Sequence, residues 1–184
     1  MMINKKIIGY SGSPDDCGTF MHTKKEDAFL KFSNVYDSGV INIDYKLGRI
    51  KKDFMQTYDG YDIVSEDFAN FCKEEHYDNI EFVQLPNNSN FYWFKVHSIL
   101  PFDAERRQTR FLNYSEKYQS YEEIIGAYPA FLKIRTDIDK GIFRTDICFG
   151  TGISKGPVLC FGKQTKEKIE IKKFRGFNFE EIID

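Results

Sequence analysis

Tyr61–Val96, YDIVSEDFANFCKEEHYDNIEFVQLPNNSNFYWFKV, is the stretch whose reading decides the fold of this chain. Its opening residues, Tyr61-Asp62-Ile63-Val64, read as a short strand, and Ser65 is placed to cap the helix that follows. Glu66 and Asp67 fall in the first helical turn, where negative charge meets the positive end of the helix dipole. Phe68, Phe71 and Cys72 then recur at i, i+3 and i+4, a single apolar stripe. After a break at Asp78-Asn79 come two β-rich runs, Ile80–Leu85 and Phe91–Val96. They flank the polar loop Pro86–Asn90 and read as a hairpin. Phe91–Val96 is apolar on both faces and is expected to be a central strand.

Outward from this unit the pattern repeats more weakly. Lys5–Tyr10 reads as the first strand, closed by the polar turn Ser11–Gly18. Thr23 with Glu26 makes a capping box, predicting a helix through Phe32 with Phe29 and Phe32 at helical spacing. Val40–Ile43 reads as a short strand and Lys46–Gly60 as a charged, mobile connection. Further on, Arg110–Tyr114 is a strand candidate, and Ser120 with Glu123 is a second capping box whose short helix Gly126 stops. Phe131–Ile134, Ile142–Thr145 and Val158–Phe161 read as strands. Thr165 opens a last helix ending near Gly176, before a closing strand Phe177–Phe179. Helices fall between strand pairs rather than in regular alternation. The expected fold is therefore α+β, a mostly antiparallel twisted sheet with a few short helices packed against it. With no repeat or proline-rich linker, 184 residues read as a single domain, 1–184, large enough to bury a full core.

Composition narrows the function classes. Aromatic residues reach 16%, with 18 Phe and 11 Tyr, which suits strands and a thick core, while Tyr is also favoured at protein interfaces. The formal net charge of −2 lacks the basic balance of a nucleic-acid binder. Cys17, Cys72, Cys148 and Cys160 are widely scattered, with no Cys-x-x-Cys pair, and read as reduced, buried thiols. The start MMINKKIIGYSG has no long apolar core, and no run approaches membrane-spanning length, so a cytoplasmic protein without a membrane partner is expected.

Chemical motifs fail at named positions. Gly150–Pro157 invites a phosphate-loop reading, but Lys155 stands where a dinucleotide fingerprint has its third glycine. Gly156-Pro157 replaces the Gly-Lys-Ser/Thr of a P-loop, and proline removes a backbone N–H. Asp137, Asp139 and Asp146 offer oxygen ligands without the terminal glutamate of a calcium loop. Asp137–Gly141 reads more simply as a hairpin turn. Glu170-Ile171-Lys172 has the spacing of some metal-dependent nucleases, with Asp146 a conceivable partner, on what reads as an exposed helix. His22, His76 and His97 belong to no ligand set, and no Gly-x-Ser-x-Gly elbow is present. No catalytic, metal or cofactor residue is assigned. Two basic runs, Arg106–Arg110 and Lys163–Arg175, read as solvated faces, with nucleic acid or an acidic partner as the alternative.

The order of segments carries a resemblance. Asp62-Ile63-Val64-Ser65 entering a helix, then Glu81–Pro86, then Phe91–Val96, resembles the immunity proteins of bacterial polymorphic toxin systems, in a branch long described only as a domain of unknown function. Gly141-Ile142-Phe143-Arg144 and Lys173–Phe179 look like its C-terminal signature. Some relatives carry a Cys-x-x-Cys where this chain reads Ser115–Tyr118, so no zinc site transfers. The resemblance implies a cytoplasmic protein, not an enzyme, that neutralises one cognate toxin domain by non-covalent binding. Such binding needs aromatic anchors and complementary charge. The expected partner-binding residues are Tyr114, Tyr118 and Tyr121 with Glu116, Glu122 and Glu123; these tyrosines could equally cover the sheet. The rival expectation is an enzyme or small-ligand binder using Asp137–Gly156, for which convergence of Arg144, Asp146 and Lys155 in one deep cleft is the mark. A third is a nucleic-acid-binding accessory protein using Lys163–Arg175.

Overall fold

The computed structural model describes residues 6–22, 28–49 and 51–184. In chain order its elements are β1 (Ile7–Asp16), α1 (Ala28–Phe32), α2 (Val35–Ser38), β2 (Phe54–Gln56), β3 (Asp62–Ser65) and α3 (Glu66–Glu74). Then come β4 (Ile80–Leu85), β5 (Asn88–Val96), β6 (Ile99–Leu100), α4 (Ala104–Arg107), β7 (Arg110–Ser115) and β8 (Ser120–Ile125). The chain closes with β9 (Ile142–Thr151), a 3-10 turn (Gly152–Ser154), β10 (Gly156–Phe161), α5 (Lys163–Ile171) and β11 (Phe177–Ile183). The strands form one sheet in the order β4-β5-β3-β2-β1-β10-β9-β8-β7, with β11 on β1 and β6 on β9. Among the described residues, only the β1–β2 and β6–β9 pairings are parallel. The α+β expectation, mostly antiparallel with short helices, is met.

Alternation along the strands sorts the side chains to two faces. Phe54, Val64, Phe94, Leu159 and Phe161 join one core with α3, α5 and the rings of Phe174, Phe177 and Phe179. Phe68 lies at its centre, its ring within 6 Å of those of Phe71, Phe94, Phe174 and Phe177. Their neighbours Met55, Ile63 and Trp93 pack instead with Val35, Tyr36, Tyr45 and Leu47. Val158 and Cys160 meet Ile8, Phe102, Leu132 and Ile138 in a third cluster. All four cysteines are free thiols, three buried and Cys148 half-buried.

The Tyr61–Val96 unit folds as its residues dictate. Ser65 Oγ accepts from Phe68 N (3.2 Å) and donates to Asp53 Oδ1 (2.8 Å), so one hydroxyl caps α3 and anchors the segment before β2. We expect Ser65→Ala to cost roughly 1–2 kcal/mol, read as a lower midpoint in urea; an unchanged midpoint would remove the cap from the account. The β4–β5 turn is tighter than the Pro86–Asn90 loop, because Asn88 already pairs with Leu85.

Several expectations are corrected. β1 runs on to Asp16, through residues read as a turn, because β10, β11 and β2 all bond to it. Its small residues answer to packing: a Cβ on Gly12 would lie 2.5 Å from Phe161 Cε2. Lys46–Gly60 holds a strand, β2, whose Phe54 and Met55 are at 0% exposure. Val40–Ile43 is no strand: Val40 O accepts from Tyr61 Oη (2.8 Å) instead of joining a ladder, and Val40 and Ile43 are exposed. Ser120–Ile125 is a strand, not a helix, held by β7 and β9. Phe131–Ile134 makes one bridge, Phe102 with Leu132. The last helix starts at Lys163 and stops at Ile171, and β11 extends to Ile183. Lys5, Thr23 and Glu26 lie outside the described residues. Among the described residues, no helix is long and apolar enough to cross a membrane.

Candidate functional site

β7 is the last strand of the sheet path, and four of its six residues are exposed. On a regular strand Phe111 and Tyr114 would point to opposite faces. Asn113 between them has φ +56, a left-handed conformation that asparagine tolerates better than most residues. The alternation breaks there, and both rings meet Tyr121 on β8, at centroid separations of 5.2 and 4.8 Å. Tyr114 and Tyr121 are also direct cross-strand partners. Phe111 and Tyr114 remain 39% and 49% exposed. A kinked edge strand is a poor template for adding another strand, so this surface offers rings rather than backbone.

The six residues expected to bind a partner divide. Tyr114 and Tyr121 form the ring cluster. Tyr118 stacks on Phe32 of α1 (5.1 Å) beneath Lys117, which fastens the hairpin end to the helix. Glu116 is exposed in the β7–β8 turn, where its carbonyl accepts from Gln119 Nε2 (2.6 Å). Glu123 accepts from Thr151 Oγ1 (3.0 Å), and half-buried Glu122 lies on the same strand. Phe111, the third ring, was missed, because the kink at Asn113 that turns it toward Tyr121 has no reliable sequence signal.

A second exposed pair, Phe20 and Tyr58 (4.9 Å; 53% and 52% exposed), lies across α1. Leu30 and Lys31 of that helix line a shallow recess with both rings and Ile153. α1 thus meets the β7–β8 hairpin through the Phe32–Tyr118 stack and shares a recess with the Phe20–Tyr58 pair.

Arg144, Asp146 and Lys155 do line one recess, of about 300 Å³, with Asp37 and Cys148. Two of the three already hold the fold. Lys155, 2% exposed, donates its Nζ to the carbonyls of Phe32 and Tyr121, tying α1 to β8. Burial lowers its pKa. Asp146 accepts from Phe102 N (2.8 Å). Arg144 is less engaged: Nη1 donates to Thr145 O, the guanidinium covers the Tyr36 ring, and buried Nε has no partner. Gly150–Pro157 is a strand-to-strand connection through the 3-10 turn, as its failed phosphate motif suggests.

The other candidates are dispersed. Lys163 pairs with Asp137, Lys168 with Glu75 and Lys166 with Glu170, so much of the charge in Lys163–Arg175 is neutralised locally. Glu170 and Asp146 have separate partners. Lys168 holds Glu75 below the usual carboxylate range, and His97 does the same for Glu81. His22 Nε2 lies 2.6 Å from Val40 O, and His76 ends α3 with a positive φ. Among the described residues, no three His, Cys, Asp or Glu side chains are grouped to hold a metal ion.

Sequence reasoning also passed over Asp62, which it treated only as part of a strand. The residue is 4% exposed, and burial pushes its carboxyl up to about 7, opposed by a hydrogen bond from Gln56 Nε2 (2.8 Å) and by the nearby Tyr36 hydroxyl. That hydroxyl is itself buried and makes no hydrogen bond of regular geometry. No family model, curated protein or solved structure matches this chain.

Proposed function

We propose that the protein is an immunity protein that binds and neutralises a cognate bacterial toxin domain through the β7–β8 hairpin. The observation that carries this reading is the exposed cluster of Phe111, Tyr114 and Tyr121 on an edge hairpin. Aromatic side chains bring large contact area at small entropic cost and dominate the energetics of protein interfaces. The hairpin is anchored behind the rings by Lys155 and by the Tyr118–Phe32 stack, so the patch is presented on a fixed support, as tight inhibition requires. The Phe20–Tyr58 pair across α1 extends the same surface. Glu116 and Glu122 lend it negative charge for a basic partner.

The test is rescue and co-purification with the toxin domain encoded beside this gene. Tyr114→Ala is expected to weaken the complex by about 2 kcal/mol, roughly thirtyfold, without lowering the thermal midpoint appreciably. Full rescue with unaltered affinity in Tyr114→Ala and Phe111→Ser together would move the interface elsewhere. A second reading, small-ligand binding in the Arg144–Lys155 recess, is favoured by the convergence of those side chains. It gains if no neighbouring toxin is neutralised. Activity in the cytoplasm belongs to the first reading, since toxin and inhibitor must meet there.

A further inference from the structure

A cleft of about 400 Å³ lies among β1, β2, β3, β9, β10 and the end of β8, and among the described residues Asp62 is the one charged residue lining it. Gln56, on the same wall, binds one carboxylate oxygen. Several other carboxylates are paired with lysines: Asp15 with Lys52, Asp137 with Lys6 and Lys163, Glu81 with Lys95; buried Asp59 instead accepts from the backbone N–H groups of Met21 and His22. Asp62 has no such partner among the described residues. A carboxyl buried without a cation is a costly arrangement, and such groups concentrate at functional sites. The remaining walls are mostly glycine, proline and aliphatic, with two aromatic residues, Tyr128 and Phe149, and two hydroxyls, Ser13 and Ser154.

We propose that this cleft is a binding site for an organic cation, an ammonium or guanidinium group set against the Asp62 carboxylate with its carbon stem along Tyr128 and Phe149. Once ionised, the Asp62 carboxylate would be balanced by a cation, and aromatic rings suit one. A hard metal ion is a poor fit, because it needs several oxygen ligands and the cleft supplies one carboxylate. The volume admits a short alkyl chain with its charged head. The same chemistry is carried by a free amine or guanidine and by a lysine or arginine side chain of another protein. The site does not depend on the hairpin reading.

Binding is linked to protons. The groups around Asp62 are Gln56 from β2, Tyr36 from α2 and Tyr128 after β8, with the Arg144 guanidinium of β9 on the Tyr36 ring at 5.3 Å. Burial raises both tyrosine hydroxyls, although Tyr128 as a whole is 37% exposed. Neither therefore ionises near neutrality, and Asp62 is the group of this set that does.

Amide NMR titration of the whole chain tests the proposal, with n-butylguanidinium and n-butylammonium as free cations. 1-Butanol serves as the neutral control, and a capped Gly-Arg-Gly peptide as the side-chain probe. The cations are expected to saturate and to shift the Gln56 side-chain amide and the backbone amides of Gly126 and Gly150. Affinity should fall about tenfold per pH unit below about pH 7, and by about tenfold or more in Asp62→Asn. Binding of the free cations alone upholds the site for small amines; binding of the peptide as well upholds it for a partner's side chain. Equal binding of butanol, equal binding by Asp62→Asn, a flat pH profile or no saturable shift with any cation would overturn it.

Discussion

Asp62→Asn is expected to stabilise the protein above neutral pH, by up to about 4 kcal/mol, and to leave it nearly unchanged near pH 4. The Asp62 carboxyl titrates at an ordinary value of 3.8 when unfolded and at about 7 in the fold. At 1.36 kcal/mol per pH unit that gap amounts to about 4 kcal/mol. The direction follows from proton counts. Between those two values the folded state holds a proton that the unfolded state has released, so stability falls as pH rises. Below 3.8 both states are protonated and the full stability is present; above about 7 both are ionised and the loss is complete. Asparagine keeps the shape and carries no charge to desolvate. Urea denaturation of both proteins across this range should show midpoints that converge in acid and separate above neutrality. Parallel curves would mean that the carboxylate is solvated or paired.

Gly176→Ala is expected to cost roughly 3 kcal/mol or more, enough to remove much of the stability of an ordinary domain. Gly176 has φ +94, and a Cβ there would lie 2.0 Å from Phe54 O. That carbonyl belongs to fully buried Phe54 of β2 and is not the end of a flexible side chain, so the backbones must part. The bonds at risk are those that stitch the connection between α5 and β11 into the sheet: Asp15 N to Gly176 O, and Asp53 N and Phe54 N to Arg175 O. Hydrogen exchange should show the Asp15, Asp53 and Phe54 amides losing protection together. Gly18→Ala is the control. Its φ is +73 with nothing within 4 Å, so backbone strain of about 1 kcal/mol is all that is expected. Similar losses in both variants would refute the steric account.

What the sequence made legible was local. In Tyr61–Val96 the strand, cap, helix stripe and hairpin lie next to one another, so short-range signals and tertiary structure agree. β1 illustrates the opposite case. Ser11-Gly12-Ser13-Pro14 has turn composition, but it is a strand because the rings of Phe161 and Phe179, far along the chain, occupy the space that larger side chains would need. Ser120 and Glu123 carry a capping-box spacing, yet pairing with β7 and β9 outweighs a signal made by two residues. Phe54 and Met55 are too short an apolar run to stand out among lysines. The same division runs through the functional surfaces. Tyr114 and Tyr121 could be named from an aromatic-rich polar stretch, whereas Phe111 depends on one backbone kink. Asp62 looks like any strand aspartate until the absence of a cationic neighbour is seen in three dimensions.

The placement of β1 sets the order in which the molecule can assemble. β1 is flanked by β10 and β11, so residues 7–14 must wait for residues 156–183 before their backbone groups are satisfied. Contacts of such long separation form slowly. During synthesis, at about 5–20 residues per second, the hairpin β4–β5 and helix α3 can organise well before β1 has a place to dock. The sheet is completed only once its last strand has left the ribosome. A ribosome-bound chain lacking β11 therefore has an unfinished central strand, and removing residues 177–183 would leave the protein in that unfinished state permanently.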